Sequence, residues 1–200
     1  MRRPLKNDGC EEWIPIGNKK PESFLEDEIN RFLLHNRVII LHGEINEENC
    51  NLVARKLLYL QLKKVKDVRI ILNSVGGEVY HGLLLYNTLE EMKKQGTKVI
   101  VETRGLCASM AVIVLQGGDE RIAAKYSRFL LHEVSSWAYG KASEVKEESE
   151  ELEKVNTMLD EIIIKNSKMT LKELQKRTKK KDWWISASEA LKYGIIDKVI

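Results

Sequence analysis

The feature that most constrains this chain is a rhythm. Short aliphatic and β-branched runs return along it: Val38-Ile39-Ile40-Leu41, Val68-Arg69-Ile70-Ile71-Leu72, Val99-Ile100-Val101 and Arg128-Phe129-Leu130-Leu131. Between them lie stretches whose apolar residues recur at helical spacing. Leu83, Leu84, Tyr86, Leu89 and Met92 form one, stopped by Gly96, and Cys50, Val53, Leu57, Leu58 and Leu60 form another, behind a possible cap at Asn46. Runs too short and too apolar for surface strands, alternating with helices every dozen or two residues, predict an α/β domain with much parallel pairing. Phe24, Leu25, Ile29, Phe32 and Leu33 add a helix before the first strand, and Ser109 to Gln116 is apolar enough for a buried helix. Thr170-x-x-Glu173 and Ser186-x-x-Glu189 are capping boxes that start two further helices. Gly194 ends the second, and Ile195 to Ile200 is expected as a last strand.

Two segments depart from this rhythm. Residues 1–20 hold two of the three prolines and no periodicity, and read as an arm. Residues 141–166 are charged on most faces, with a narrow stripe of Val145, Leu152, Val155, Met158, Leu159 and Ile162. Such a helix projects from its domain and packs along one edge, often on a partner. At 200 residues the chain is the size of one domain. Its net charge of +3 gives no electrostatic case for nucleic acid. Cys10, Cys50 and Cys107 form no CxxC pair, which argues against a disulfide scaffold or a cysteine-zinc site and for a reducing compartment. No apolar run is long enough to span a bilayer, and no secretory leader is expected from the opening Met-Arg-Arg-Pro-Leu-Lys.

The residues that can do chemistry sit at element boundaries. In Gly105-Leu-Cys-Ala-Ser109-Met-Ala, a serine stands between a strand and an apolar helix, where backbone N–H groups carry partial positive charge. Ser109 can be a nucleophile there, or simply the helix cap. Asn73-Ser-Val-Gly76-Gly77 is either a tight turn or a loop whose glycines expose N–H groups to a ligand. His132 ends a buried strand, and no paired histidines support a metal site. Asp182, between Lys179-Lys-Lys and Trp183-Trp184, can be half buried and orient a histidine, or can pair with the lysines. As a set, Ser109 needs a base, His132 can take its proton and return it to a leaving amine, and Asp182 can hold the imidazole tautomer. Backbone N–H groups of Gly77 and Met110 would meet the tetrahedral oxyanion.

The order N-S-V-G-G, G-L-C-A-S-M-A, F-L-L-H-E and K-D-W-W-I-S-A-S-E-A-L-K-Y-G-I-I-D resembles the ClpP family, the proteolytic subunits of the Clp protease, over residues 22–200. The resemblance implies a crotonase-like fold of repeated β-β-α units. It also implies Ser109 as nucleophile, His132 as base, Asp182 as orienting acid, and a handle helix at about residues 133–166. It further implies a serine endopeptidase domain over 21–200, an axial loop at 1–20, and two stacked heptameric rings. Within these rings unfolded polypeptide is cleaved after delivery by an AAA+ ATPase. ATP is then used by that partner; the chain itself needs no cofactor, no metal, no membrane and no nucleic acid, and works in the cytoplasm. The sequence departs from the family at Val75, where proline is usual, at Glu133-Val134, where Gln-Pro is usual, and at Lys180-Lys181, where an acidic residue and an arginine link the rings. The competing readings are a catalytically weak assembly subunit, a crotonase-type acyl-CoA enzyme, and a membrane-bound Ser-Lys peptidase, the last opposed by the lack of any spanning segment.

Overall fold

The structure, a computed structural model, describes residues 21–135 and 139–200. The arm expected at residues 1–20 lies outside the described residues, as do residues 136–138 of the expected handle region. In chain order the elements are α1 (Pro21–His35), β1 (Val38–Ile45), α2 (Glu47–Lys63), β2 (Val68–Gly77), α3 (Val79–Lys94), β3 (Val99–Ala108) and α4 (Met110–Gln116). They continue with β4 (Glu120–Ala123), β5 (Arg128–Leu131), α5 (Ala142–Lys165), α6 (Leu171–Thr178), β6 (Trp183–Ser186), α7 (Ala187–Tyr193) and β7 (Lys198–Val199).

The α/β expectation holds. A seven-stranded sheet runs β1-β2-β3-β4-β7, with every one of these pairs parallel. Its strands are buried on alternating or both faces, which is why they read as continuous Val/Ile/Leu runs. One feature has no counterpart in the apolar pattern. β3 continues past Val101 to Ala108 and forks: Ile100 to Thr103 pair with β4, whereas Leu106 to Ala108 pair with β5. β5 in turn carries the antiparallel β6. The fork leaves the C-terminal ends of β2, β3 and β5 side by side.

α4 fills the space behind that fork. All seven of its residues are buried, and its one polar side chain is satisfied: the Gln116 amide donates to the Ile195 carbonyl at 3.2 Å and its oxygen accepts from Arg121 at 2.6 Å. Asn46 accepts from the Asn49 N–H at 3.0 Å, as expected of a cap, and both capping boxes form. Two short strands, β4 and β6, were not legible as strands. The last strand is only Lys198–Val199, because Ile195 and Ile196 are spent in the buried turn after α7.

α5 divides in two. Residues 142–151 are exposed on every side, whereas Val155, Leu159, Asp160 and Ile163 are buried against α4 and α6. Of the apolar stripe read from the sequence, Val145 and Met158 stay exposed.

Candidate active site

Ser109 sits where β3 ends and α4 begins, at φ 54° and ψ −124°. That is a region a residue with a Cβ rarely adopts, and it is held by surrounding structure. The Ser109 N–H donates to the Leu130 carbonyl at 2.8 Å, extending the β3–β5 ladder by one residue. Its carbonyl accepts from Val112 N–H at 2.9 Å, which ties it to the first turn of α4. Its hydroxyl makes no capping hydrogen bond. The cap alternative is therefore not realised: the Ser109 side chain makes no hydrogen bond to the first turn of α4.

The glycine pair closes on the serine from β2. A Cβ on Gly76 would lie 2.6 Å from the Ala108 carbonyl oxygen, 2.7 Å from Ser109 Cβ and 3.0 Å from Met110 N. Gly76 has φ 89° and Gly77 φ 145°, so both backbone conformation and space require glycine here. A Cβ on Gly77 would overlap the Ile45 carbonyl oxygen. Asn73 fixes the approach of β2 to β3, accepting from Leu106 N–H at 2.8 Å. Met110 is the first residue of α4, where helix N–H groups have no intrahelical acceptor.

A cavity of about 100 Å3 opens beside these groups. Gly77, Ser109, Met110 and His132 all line it, so the structure brings together four of the residues singled out in the sequence. His132 follows β5; its Nδ1 lies 2.6 Å from the carbonyl oxygen of Glu133, so the imidazole carries its proton on that nitrogen in this geometry. Asp182 is not among the lining residues. It is exposed rather than half buried, because it precedes β6, a strand paired on one side only, and the basic run before it turns outward. The antiparallel register nonetheless runs Leu131↔Trp183, so the next pair outward is His132 opposite Asp182. Among the described residues no hydrogen bond joins His132 to either Ser109 or Asp182.

The segment that carries His132 is pinned at two further points. Lys180, at φ 59°, donates its N–H to Glu133 Oε2 at 2.7 Å, and Val134 N–H donates to Asn156 Oδ1 at 3.1 Å. Cys107, two residues before the serine, is fully buried and its thiol is pushed up to about 12 by burial; Cys50 is pushed to about 11 for the same reason. Neither supplies a thiolate near neutral pH, and neither lines the cavity.

Sequence reasoning missed the far wall. Asn156, Leu159, Asp160 and Ile163 of α5 and Thr178 of α6 line the same cavity. Asp160 is 7% exposed, and burial, with the field of Glu133, raises its carboxyl above the ordinary aspartate range against the opposing hydrogen bond from Gln175. The available signal was spacing: Asn156, Asp160 and Ile163 share one helical face, so an acid interrupts an otherwise apolar stripe. Among the described residues no group of three His, Cys, Asp or Glu side chains could hold a metal ion, and no helix is long and apolar enough to cross a membrane.

A strained serine at a strand-to-helix elbow, glycine backbone and a histidine on one small cavity, and a forked α/β sheet behind them define a hydrolase-like architecture. The Clp protease family model matches residues 21–200, and the chain belongs to that family. It is a Clp-type peptidase with the α/β fold of that family. The acyl-CoA alternative falls away with this membership.

Proposed function

We propose that the chain is a serine endopeptidase subunit in which Ser109, His132 and Asp182 form the catalytic set. The observation that carries this reading is the convergence of Ser109, uncapped and strained, with His132, Gly77 and Met110 on one cavity. Ser109 Oγ adds to the scissile carbonyl while His132 Nε2 takes its proton, and the imidazolium then gives that proton to the leaving amine. N–H groups of Gly77 and Met110 receive the oxyanion; one such donor is commonly worth on the order of 3 kcal/mol. For Asp182 to hold the imidazole, Nδ1 exchanges the Glu133 carbonyl for the Asp182 carboxylate, one position beyond the last β5–β6 pair, Leu131↔Trp183. Water then hydrolyses the acyl-serine by the same groups.

Assembly is part of the proposal. α1 turns Leu25, Ile29 and Phe32 to solvent, and residues 142–151, the first part of α5, are exposed. Both suit burial between copies in stacked rings that enclose the cavity, with an AAA+ ATPase delivering unfolded polypeptide. A second reading, a catalytically weak assembly subunit, is favoured by one observation: Asp182 is exposed and His132 Nδ1 is engaged elsewhere. The purified, assembled protein decides between them. Wild type is expected to be labelled by a fluorophosphonate probe and to cleave a short fluorogenic peptide, and Ser109→Ala to lose both while keeping its circular dichroism and its sedimentation as a ring. Wild-type rings that neither label nor cleave would establish the weak-subunit reading instead, and a stable monomer would sink the barrel.

A further inference from the structure

The cavity that Ser109 lines carries acidic side chains. Its charged lining residues are Glu133 and Asp160, and neither lysine nor arginine lines it, in a chain that carries 33 basic residues against 30 acidic ones. Much of the remaining lining is aliphatic, with Val112, Ile113, Leu131 and Ile163 among it. Asp160 is not neutralised locally: its Oδ2 accepts from Gln175 Nε2 at 3.2 Å and from Asn156 Nδ2 at 3.4 Å, both uncharged amides. Among the described residues no donor reaches its Oδ1. Asn156 is itself held by the Val134 N–H on its Oδ1, which leaves its Nδ2 to the carboxylate. A volume of about 100 Å3 suits one side chain and is well below the roughly 300–1,000 Å3 of sites for larger ligands.

We infer that Asp160 is a specificity-determining residue: the cavity accepts the side chain on the acyl side of the scissile bond, and the carboxylate at its end selects lysine over an apolar residue of equal length. This rests on the reading of Ser109 as nucleophile. Lysine has the required shape, an aliphatic stem for the aliphatic walls and a charged tip for the acid. A charge-assisted hydrogen bond in a desolvated pocket discriminates strongly, because the substrate lacking it leaves the buried acid without a cationic partner. The preference depends on ionisation. Burial and Glu133 raise the Asp160 carboxyl, so the selection is full above its titration and fades as pH falls through it. The groups facing Asp160 are His132 and Glu133 from the segment after β5, Gln175 from α6, Asn156 from its own helix, and only apolar side chains from α4.

The test uses assembled wild-type protein and two fluorogenic peptides that differ only in lysine or norleucine before the scissile bond. The ratio of their kcat/KM values cancels the titration of His132 as a base, since both substrates need it. Lysine is expected to be favoured about ten- to hundredfold near neutral pH, with the ratio falling on acidification. Asp160→Asn, nearly isosteric, is expected to remove that preference. The inference is overturned if wild type cleaves the norleucine peptide as well or better, or if Asp160→Asn keeps the lysine preference. Should that variant not fold, a ratio independent of pH in the wild type overturns it equally. Fluorophosphonate labelling separates the two levels: labelled enzyme with the wrong preference removes this inference alone, and unlabelled, inactive rings remove the serine-peptidase reading as well.

Discussion

Gly76 and Ser109 are locked against each other, and neither position tolerates the ordinary geometry of the other. The serine keeps a left-handed φ because β2 has no side chain at Gly76 to block it, and Gly76 has no room for one because Ser109 is there. Gly76→Ala therefore meets both a positive φ and two contacts under 3 Å, one of them to backbone. It is expected to destabilise the fold by roughly 1–3 kcal/mol and to slow fluorophosphonate labelling, read by urea denaturation and by labelling rate on the same samples. Ser109, His132, Gly77 and Met110 were legible in the sequence because each stands at the end of an element, where strands and helices deliver their groups to one edge. Asp160 was not. A carboxylate on a heavily charged helix reads as solvated, and only the packing of α5 against α4 and α6 buries it. The exposure of Asp182 was equally hidden, since sequence neighbours as large as Trp183 and Trp184 suggest cover. In the structure Trp183 packs edge-on against Tyr193, with Arg177 over both rings, and leaves the aspartate outside.

Elements with a clear apolar run or periodicity were legible, the four-residue β5 among them, and β4 and β6 were not. β1, β2, α2 and α3 announce themselves by periodicity, with caps or glycine at their ends. β4 and β6 are too short to show alternation, and β3 runs ten residues rather than the three read at Val99–Val101 because Glu102 to Gly105 gives no apolar signal. Its polar middle is stabilised by charge instead: Glu102 is buried between the guanidinium groups of Arg69 and Arg104. The capping box at Ser186 shows a sequence signal realised in full, with the serine oxygen accepting from Glu189 N–H at 3.3 Å and the Glu189 carboxylate accepting from Ser186 N–H at 2.8 Å. This box both starts α7 and ends β6, the strand that Asp182 immediately precedes. Ser186→Ala is expected to lower stability by about 1 kcal/mol, measured as a shift of the urea midpoint at constant slope. A change in slope would instead mean that β6 separates from β5 before the rest unfolds.

For the whole molecule, charge total and charge placement give different answers. A net +3 looks inert, yet carboxylates are held in opposing states. Burial pushes Glu102 and Asp197 upward, but hydrogen bonds and charge from Arg104 and Arg69, and from Arg121, outweigh it and leave both below the ordinary range. Groups depressed in the folded state contribute stability that is present above their unfolded titration and is lost as pH falls through their folded one. Asp160, raised, works in the other direction and favours the fold where it is protonated. Glu90, Glu173 and Glu189 are held low as well, so among the described residues five depressed acids stand against one raised, and the urea midpoint is expected to fall once the pH drops below about 4; a midpoint unchanged down to pH 3 would contradict it. One consequence of the architecture concerns how long a subunit lasts. The exposed half of α5 is a stretch of about ten residues, and isolated helices shorter than about 12–15 residues are marginal in water. A lone subunit thus carries a segment that opens readily, whereas a partner seated on it would hold it shut. Under the proposed function, in which assembled copies cut unfolded chains, the unassembled copy is the one most like the substrate, so turnover would weed out orphans and spare completed rings.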